Sequence, residues 1–427
     1  MSKPQINSKR LRATLGGVND FGLNAATGGI NRLGFGDADF AARRWLMEEM
    51  RKRGMAVRMD GVGNVFGRFG PADGPCVMCG SHLDSVPEGG KYDGVLGVIA
   101  AFECVRALQD AGVQPYIALE VVATAEEEGR FGGMLGSQAI ADIVDESWLE
   151  NSKDADGIAL KDAMRAQSLD YRSALGGCRR RDVKAFVELH IEQGPVLEQK
   201  GLAVGTVTGI SGTSNPLFTL KGEANHSGTT PMELRRDAVM GFCEIGAAIP
   251  SILKQHGSPD ARMTVGKVDV QPNFPHTVAG EVCFSVNIRD NDEQCMQAMD
   301  DAFATMAAEV AARHGLELSV DRRLGKLAPV RLDPRLRAVL EDEARALFKG
   351  QPGRWQPMPS GAGHDAQNMQ QICPAAMIFI PSRKGISHAV EEFTDDSQVE
   401  VGVQLLCNFL HRLVTDRQAL SNTTSRL

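Results

Sequence analysis

The chain contains no uninterrupted apolar run of the ~18 residues that a membrane-spanning helix needs. No apolar segment follows the charged N-terminus Met1–Arg10, as a secretion signal would require. A soluble, cytoplasmic protein is therefore expected. An excess of positive charge is also missing: 46 Lys and Arg stand against 54 Asp and Glu, a net charge of −8. Nothing in that balance draws the chain to a phosphate backbone or to anionic lipid, so neither nucleic acid nor a membrane is expected as partner. Cysteines are sparse and odd in number, nine in 427 residues, which fits a reducing compartment better than a disulfide framework. Cys76 and Cys79 lie in an apolar run that reads as a buried strand, without the helix N-terminus that redox C-x-x-C motifs use. No internal repeat and no low-complexity tract occurs. With 43% hydrophobic and 23% charged residues, disorder is excluded, and the length corresponds to two or three domains with cores of their own.

Apolar residues recur at helical spacing over Phe40–Arg53, with Asp39 as candidate N-cap and Gly54 as stop, so this helix is expected to start the fold. Strands are predicted at Met55–Met59 and Asn64–Phe69 around a glycine-containing turn, then at Cys76–Cys79 and Tyr116–Thr124, with a helix over Gly94–Ala111 between the last two. Residues 137–182 are polar and weakly periodic, consistent with surface helices, and Ala185–His190 is a further strand. Strand, loop, helix and strand in this order predict an α/β fold with parallel strands, whose chemistry sits beyond the strand C-termini. After Val207 the texture changes. Strands at Leu217–Lys221, Met263–Val270, Glu281–Ile288 and Glu317–Asp321, with helices at Asp237–Lys254 and Glu293–Arg313, predict a small two-layer α+β domain. It is expected at residues 209–328, inserted into a first domain formed by 1–208 plus 329–427. A helix at Leu336–Phe348, a strand at Ala375–Ile380 and a helix near Ser397–Val414 complete that first domain.

Histidines and carboxylates cluster at the predicted strand ends. His82 and Asp84 follow one strand, and Asp93 stands at the next helix start. A neutral imidazole and a carboxylate on neighbouring loops suit Zn²⁺ or a similar cation, with the Asp84 carboxylate expected on the other imidazole nitrogen. A surface histidine beside a capping aspartate is the plainer alternative. Glu126, Glu127 and Glu128 stand side by side after the strand ending at Thr124; either they form a solvated turn, or a cation, an arginine or a shared proton offsets their repulsion. His190 ends another strand, and His388 follows the strand Ala375–Ile380. Recurrence on one sheet edge argues for a single metal site.

These segments carry a resemblance. Gly80–Gly94 (GSHLDSVPEGGKYDG), Glu126–Phe131 (EEEGRF), Glu188–Pro195 (ELHIEQGP), Gly222–Pro231 (GEANHSGTTP), Ser360–Ala366 (SGAGHDA) and Gly385–His388 (GISH) stand in family order. The chain resembles, over nearly its whole length, the M20 metallopeptidase superfamily, in the branch of N-carbamoyl-L-amino acid hydrolases, allantoate amidohydrolases and β-ureidopropionases. The resemblance implies a mixed-sheet, di-zinc peptidase-like catalytic domain with an inserted lid and dimerisation domain. It implies two divalent ions per subunit, Zn or else Mn, Co or Ni, bridged by Asp93, with His82 and His190 on one and Glu128 and His388 on the other. It further implies Glu127 as general base, His226 as an oxyanion-stabilising residue reaching a neighbouring subunit of a homodimer, Arg289 as the clamp on a substrate carboxylate, and Gln193 as a substrate contact. Two positions depart from the branch: Thr213 stands where Gln is common, and His276 where Asn is common, both at the substrate's ureido or carboxylate end. A histidine at 276 is still able to hydrogen-bond a carboxylate, and the shorter Thr213 leaves space. His364 and Asp365 are assigned a supporting or a structural role.

The function expected from all this is metal-dependent hydrolysis of a linear C–N amide bond in a small N-carbamoyl amino acid or related carboxylate. The alternatives are an N-acyl amino acid amidase, an aminopeptidase or dipeptidase of the same superfamily, and a binding protein that has lost catalysis.

Overall fold

The computed structural model describes residues 3–322 and 326–421, which group into two compact units. The first comprises the described residues within Met1–Thr208, Leu332–Met358 and Gly363–Leu427, and the second those within Gly209–Arg331 and Pro359–Ala362. The short segment Pro359–Ala362 thus joins the second unit from far along the chain.

The class is mixed α/β, as the order of elements predicts. In the first unit four parallel strands lie side by side in the order Ala118–Thr124, Cys76–His82, Val183–Ile191 and Ala375–Ile380. Antiparallel neighbours extend the sheet: Val65–Phe69 and Ala56–Met59 on one side, Val204–Ile210 on the other. Nearly every residue of the parallel strands is buried, because helices and loops cover both faces, and such strands read as continuous apolar runs. Helices Val95–Asp110 and Asp396–Thr415 pack together over one face around Val98, Phe102, Leu406 and Phe409. Register sets the functional edge: His82 pairs with Thr124, and Phe379 with His190, so all four parallel strands end at one level. The loops that leave this edge carry Asp93, Glu126–Glu128, Gln193 and His388.

Two local expectations are corrected. The fold begins one helix earlier, at Ser8–Asn19, where Leu11, Leu15 and Val18 are buried. Gly16 and Gly17 disfavour helix intrinsically, but packing prevails: a Cβ on Gly17 would sit 3.1 Å from the Trp45 ring. Asp39 does not cap the second helix, which spans Asp37–Lys52 behind Gly36. Instead its buried carboxylate accepts the Phe35 N–H and pairs with Arg43 Nε at 2.7 Å.

The second unit is an antiparallel sheet in the order Arg262–Gln271, Glu281–Asp290, Leu217–Lys221 and Glu317–Asp321, with Gly212–Ser214 also paired to Glu281–Asp290. Alternate residues of Glu281–Asp290 are buried, as expected for a sheet covered on one face. The covering helices are Ala238–Ala247, Ile249–His256 and Glu293–Arg313, over a core containing Phe218, Phe284 and Phe303. The single helix expected over Asp237–Lys254 is two, because Pro250 falls in the first turn of the second, where its missing N–H costs nothing. Asn225–His226 pairs with Thr277–Val278 in a separate two-stranded ribbon. Among the described residues, no helix is long and apolar enough to cross a membrane.

Candidate metal centre

Asp93 is the hub of the edge. It is buried just ahead of helix Val95–Asp110, with Oδ1 3.1 Å from His190 Nε2 and 3.5 Å from His82 Nε2. Its Oδ2 lies 3.2 Å from His388 Nε2, which in turn is 3.5 Å from Glu128 Oε2. Glu127 Oε2 stands 3.7 Å from His82 Nε2. Gln193 Nε2 donates to Asp93 Oδ2 at 2.8 Å.

Backbone carbonyls fix the imidazoles. His82 Nδ1 is 3.0 Å from the Asp84 carbonyl oxygen, and His190 Nδ1 is 2.9 Å from that of Ile191. A carbonyl only accepts, so each Nδ1 carries a hydrogen, and Nε2 is the nitrogen turned toward Asp93 and available to a metal. Close approach of the Asp93 loop requires glycine at 94, where φ is +63° and a Cβ would fall 2.3 Å from the His82 ring.

Contrary to the expectation from the sequence, the Asp84 carboxylate is not on an imidazole nitrogen. It accepts the backbone N–H groups of Glu127 and Glu128 at 3.3 and 3.1 Å. A backbone carbonyl already satisfies His82, which frees the side chain to hold the glutamate turn. Glu126 points away from the hub: at φ +55° its carboxylate accepts the Phe131 N–H at 2.6 Å, and burial pushes it up to about 8. Burial and then the neighbouring Asp93 raise Glu128 to about 7. Burial drives Glu127 well above the usual carboxylate range, with His82 opposing. Glu128 Oε1 is buried without a hydrogen-bond partner.

Asp93, Glu127 and Glu128 converge here with three imidazole nitrogens, and a cation among these groups would offset the mutual repulsion of the carboxylates. Two donor sets, His82–Asp93–His190 and Asp93–Glu128–His388, each bring ligand atoms within 4.8 Å of one another. Imidazole nitrogen and carboxylate oxygen are the donors that first-row divalent ions take. The residues therefore fit a metal. Glu188, His190 and His364 form a third set, but Ser81 Oγ and the Ala366 N–H already occupy the Glu188 oxygens at 2.7 and 3.0 Å. The buried His364 ring stands edge-on to His190, with centroids 4.5 Å apart, and also contacts Phe379. Asp365 accepts the Thr124 hydroxyl.

The other sequence-predicted residues fall in two groups within the second unit. Thr213 and Arg289 are cross-strand partners. Asn287 links them, donating to Thr213 Oγ1 at 3.0 Å and accepting from Arg289 Nε at 3.0 Å. Arg289 Nη1 donates to the Gly361 carbonyl at 2.6 Å, burial lowers its pKa, and no acidic side chain pairs with it among the described residues. His226 lies on the two-stranded ribbon and His276 directly precedes its second strand, both exposed, and the Ser227 N–H donates to the His276 carbonyl. His226 Nδ1 accepts the Gly228 and Thr229 N–H groups at 3.0 and 3.2 Å. Its proton is thereby placed on Nε2, which is left as a donor.

Sequence reading missed Arg43 and Glu392. The only signal for Arg43 was an Asp39–Arg43 pair at i,i+4 on an apolar helix face, and for Glu392 an acidic residue four positions after His388.

Fold and side chains together define a metal-dependent hydrolase. The profile of peptidase family M20/M25/M40 matches residues 78–412. The chain is 36% identical over 370 residues to allantoate amidohydrolase of Bacillus subtilis (strain 168), covering 86% of this chain and 88% of that protein. It is 37% identical over 387 residues to N-carbamoyl-L-amino acid amidohydrolase of Geobacillus stearothermophilus, covering 89% and 92%. Among solved structures, an amidase of the hydantoinase/carbamoylase family from Burkholderia multivorans superposes with a TM-score of 0.88 at 32% identity, covering 96% of this chain and 99% of that one. The chain belongs to peptidase family M20/M25/M40. Within it, the relatives make this protein an amidohydrolase, an enzyme that cleaves linear amide C–N bonds.

Proposed function

We propose that this amidohydrolase cleaves the ureido C–N bond of a small N-carbamoyl amino acid or a related carboxylate such as allantoate. The observation that carries the reading is Asp93 set among three imidazole Nε2 atoms, with the Glu127 carboxylate beside His82. Two divalent ions per chain, Zn or else Mn, Co or Ni, are assigned to the donor sets that share Asp93. Such ions polarise an amide oxygen and lower the pKa of a bound water.

The chain's residues supply the rest. Glu127 takes a proton from the attacking water and passes it to the leaving nitrogen as the water oxygen bonds to the ureido carbon and the C–N bond breaks. Breaking that one bond releases a nitrogen product and a carbamic acid, and the carbamic acid then breaks down by loss of its remaining C–N bond, so that the final products are the free amine, ammonia and carbon dioxide. Arg289, with no acidic partner among the described residues, offers a two-point clamp to the substrate carboxylate. Gln193, Thr213 and His276 contact the substrate's polar ends, and the His226 Nε2–H donates to the oxygen that gains charge.

His226 serves the active site of a second copy in a homodimer, with residues 209–328 as lid and dimerisation domain. Met232, Leu234 and Phe274, which are 70%, 69% and 61% exposed, flank His226 and His276 in sequence and support an interface there. All nine cysteines are free, which agrees with a cytoplasmic setting.

The test is a panel of N-carbamoyl amino acids, allantoate and N-acyl amino acids, assayed with chelator-stripped protein after each metal is restored. Ammonia release from the carbamoyl compounds is expected. Amine release from acyl compounds without ammonia would overturn the substrate class and point to Thr213 and His276 as the cause.

A further inference from the structure

Among the described residues, Glu392 is a buried carboxylate beside Asp93 for which the proposed reaction has no use. It is 4% exposed, in the loop between His388 and helix Asp396–Thr415. Burying a carboxylate is costly unless hydrogen bonds satisfy it, and here they all come from two loops. Oε1 accepts the backbone N–H groups of both Tyr92 and Asp93, each at 3.0 Å. Oε2 accepts the Ser387 hydroxyl at 2.8 Å, and the same hydroxyl lies 3.1 Å from Asp93 Oδ2. The contact is tight enough to dictate sequence: a Cβ on Gly90 would fall 2.1 Å from Glu392 Oε1.

Topology shows what this achieves. The Asp93 loop follows strand Cys76–His82 and the His388 loop follows strand Ala375–Ile380, and Val183–Ile191 lies between those strands. Glu392 therefore joins two loops that the sheet holds apart. The remaining donors have other supports: His82 and His190 stand on strands with their Nδ1 atoms on carbonyls, and Asp84 holds the Glu128 backbone. His388 has neither kind of support. Its side chain is 52% exposed, its φ is +56°, and it lies on a loop.

We infer that Glu392 is a positioning residue that, through Ser387 and the Asp93 backbone, sets the spacing between Asp93 and His388 and so governs metal affinity at the Asp93–Glu128–His388 set selectively. The inference rests on the two-metal reading above. Groups that orient ligands in this way are typically worth about 10–100-fold in metal affinity.

Chelator-stripped wild type and the variants Glu392→Ala, Glu392→Gln and Ser387→Ala are titrated with Co²⁺, followed by calorimetry and visible absorption, with circular dichroism to verify folding. Wild type is expected to take two ions. Glu392→Ala is expected to keep one at wild-type affinity and bind the other about 10–100-fold more weakly. Glu392→Gln, which retains an oxygen for the two N–H groups, should fall between them, as should Ser387→Ala. If Glu392→Ala does not fold, the latter two variants carry the test. Folded variants that bind both ions like wild type, or lose both equally, overturn the inference while leaving the two-metal reading intact. A wild type that binds no ion overturns that reading itself, and the inference with it.

Discussion

Arg43 Nε binds Asp39 Oδ1 at 2.7 Å with both side chains fully buried, directly beneath the loop that carries the glutamates. Three further guanidinium hydrogens go to the carbonyl oxygens of Gly63, Ala123 and Thr124 at 2.8–3.1 Å. Asp84, which holds the Glu127 and Glu128 backbone, lies 3.9 Å away. The arginine thus connects the end of strand Ala118–Thr124 to the loop after strand Cys76–His82. Removing it takes the paired cation from the buried Asp39 and a donor from each of three carbonyls. Arg43→Ala is expected to cost about 3–5 kcal/mol, the usual consequence of breaking a buried pair, and Arg43→Lys most of that, because an ammonium cannot reach the fork of acceptors. Urea unfolding measures it; a loss below about 1 kcal/mol, the range of an exposed pair, would show that the network contributes little.

Gly94→Ala tests how closely the Asp93 loop must approach His82. The new Cβ would meet the ring at 2.3 Å from a backbone at φ +63°. The expected outcome is a folded protein with at least ~10-fold weaker metal binding, since ligand placement is what the change disturbs. Unchanged metal affinity would mean that the loop relaxes without cost to the site.

Thiol reactivity should follow burial. Burial raises Cys178 to about 11 and Cys373 to about 12, whereas Cys243 is exposed. Raising a thiol's pKa reduces its thiolate fraction at every pH below it, so at pH 8 Cys178 is about one part in a thousand thiolate. Native-state alkylation at pH 8 followed by mass spectrometry should label Cys243 first and leave Cys178 and Cys373 unlabelled until denaturant is added. Early labelling of Cys373 would contradict its burial beside the Asp365–Met369 helix.

Asn287 keeps Arg289 oriented without neutralising it. Its amide donates to Thr213 Oγ1 and to Asn215 Oδ1, so its oxygen must face Arg289 Nε. Asn287→Asp supplies that guanidinium with a counter-charge, in competition with a substrate carboxylate. The expected result is a KM raised about tenfold or more with kcat little changed, the pattern of lost ground-state binding. A fall in kcat at constant KM would remove Arg289 from carboxylate recognition.

Much of the fold was legible because burial leaves a direct trace in sequence. Strands Leu217–Lys221, Glu317–Asp321 and Ala375–Ile380 and helix Glu293–Arg313 form over the predicted residues. Helix Ser8–Asn19 was not legible, since two glycines mask a short apolar stripe that tertiary packing stabilises. At the metal centre, the histidines and carboxylates at strand ends stand out by type and position. What holds them does not: the carbonyls of Asp84 and Ile191 leave no mark in the sequence, and Asp84 itself was misassigned because nearness in sequence favoured its side chain over its backbone. Glu392 and Arg43 act between segments far apart in the chain, a relationship that appears only once the strand order is known.

Ammonia release from N-carbamoyl amino acids by metal-loaded wild type and Glu127→Gln, compared side by side, tests the central claim most directly. Glutamine keeps the shape of the side chain but cannot accept the water's proton. The account predicts clear turnover by wild type and a loss of about 10²–10⁴-fold in kcat for the variant, the range for a general base, with metal content unchanged. Turnover within a few-fold of wild type by Glu127→Gln would contradict it.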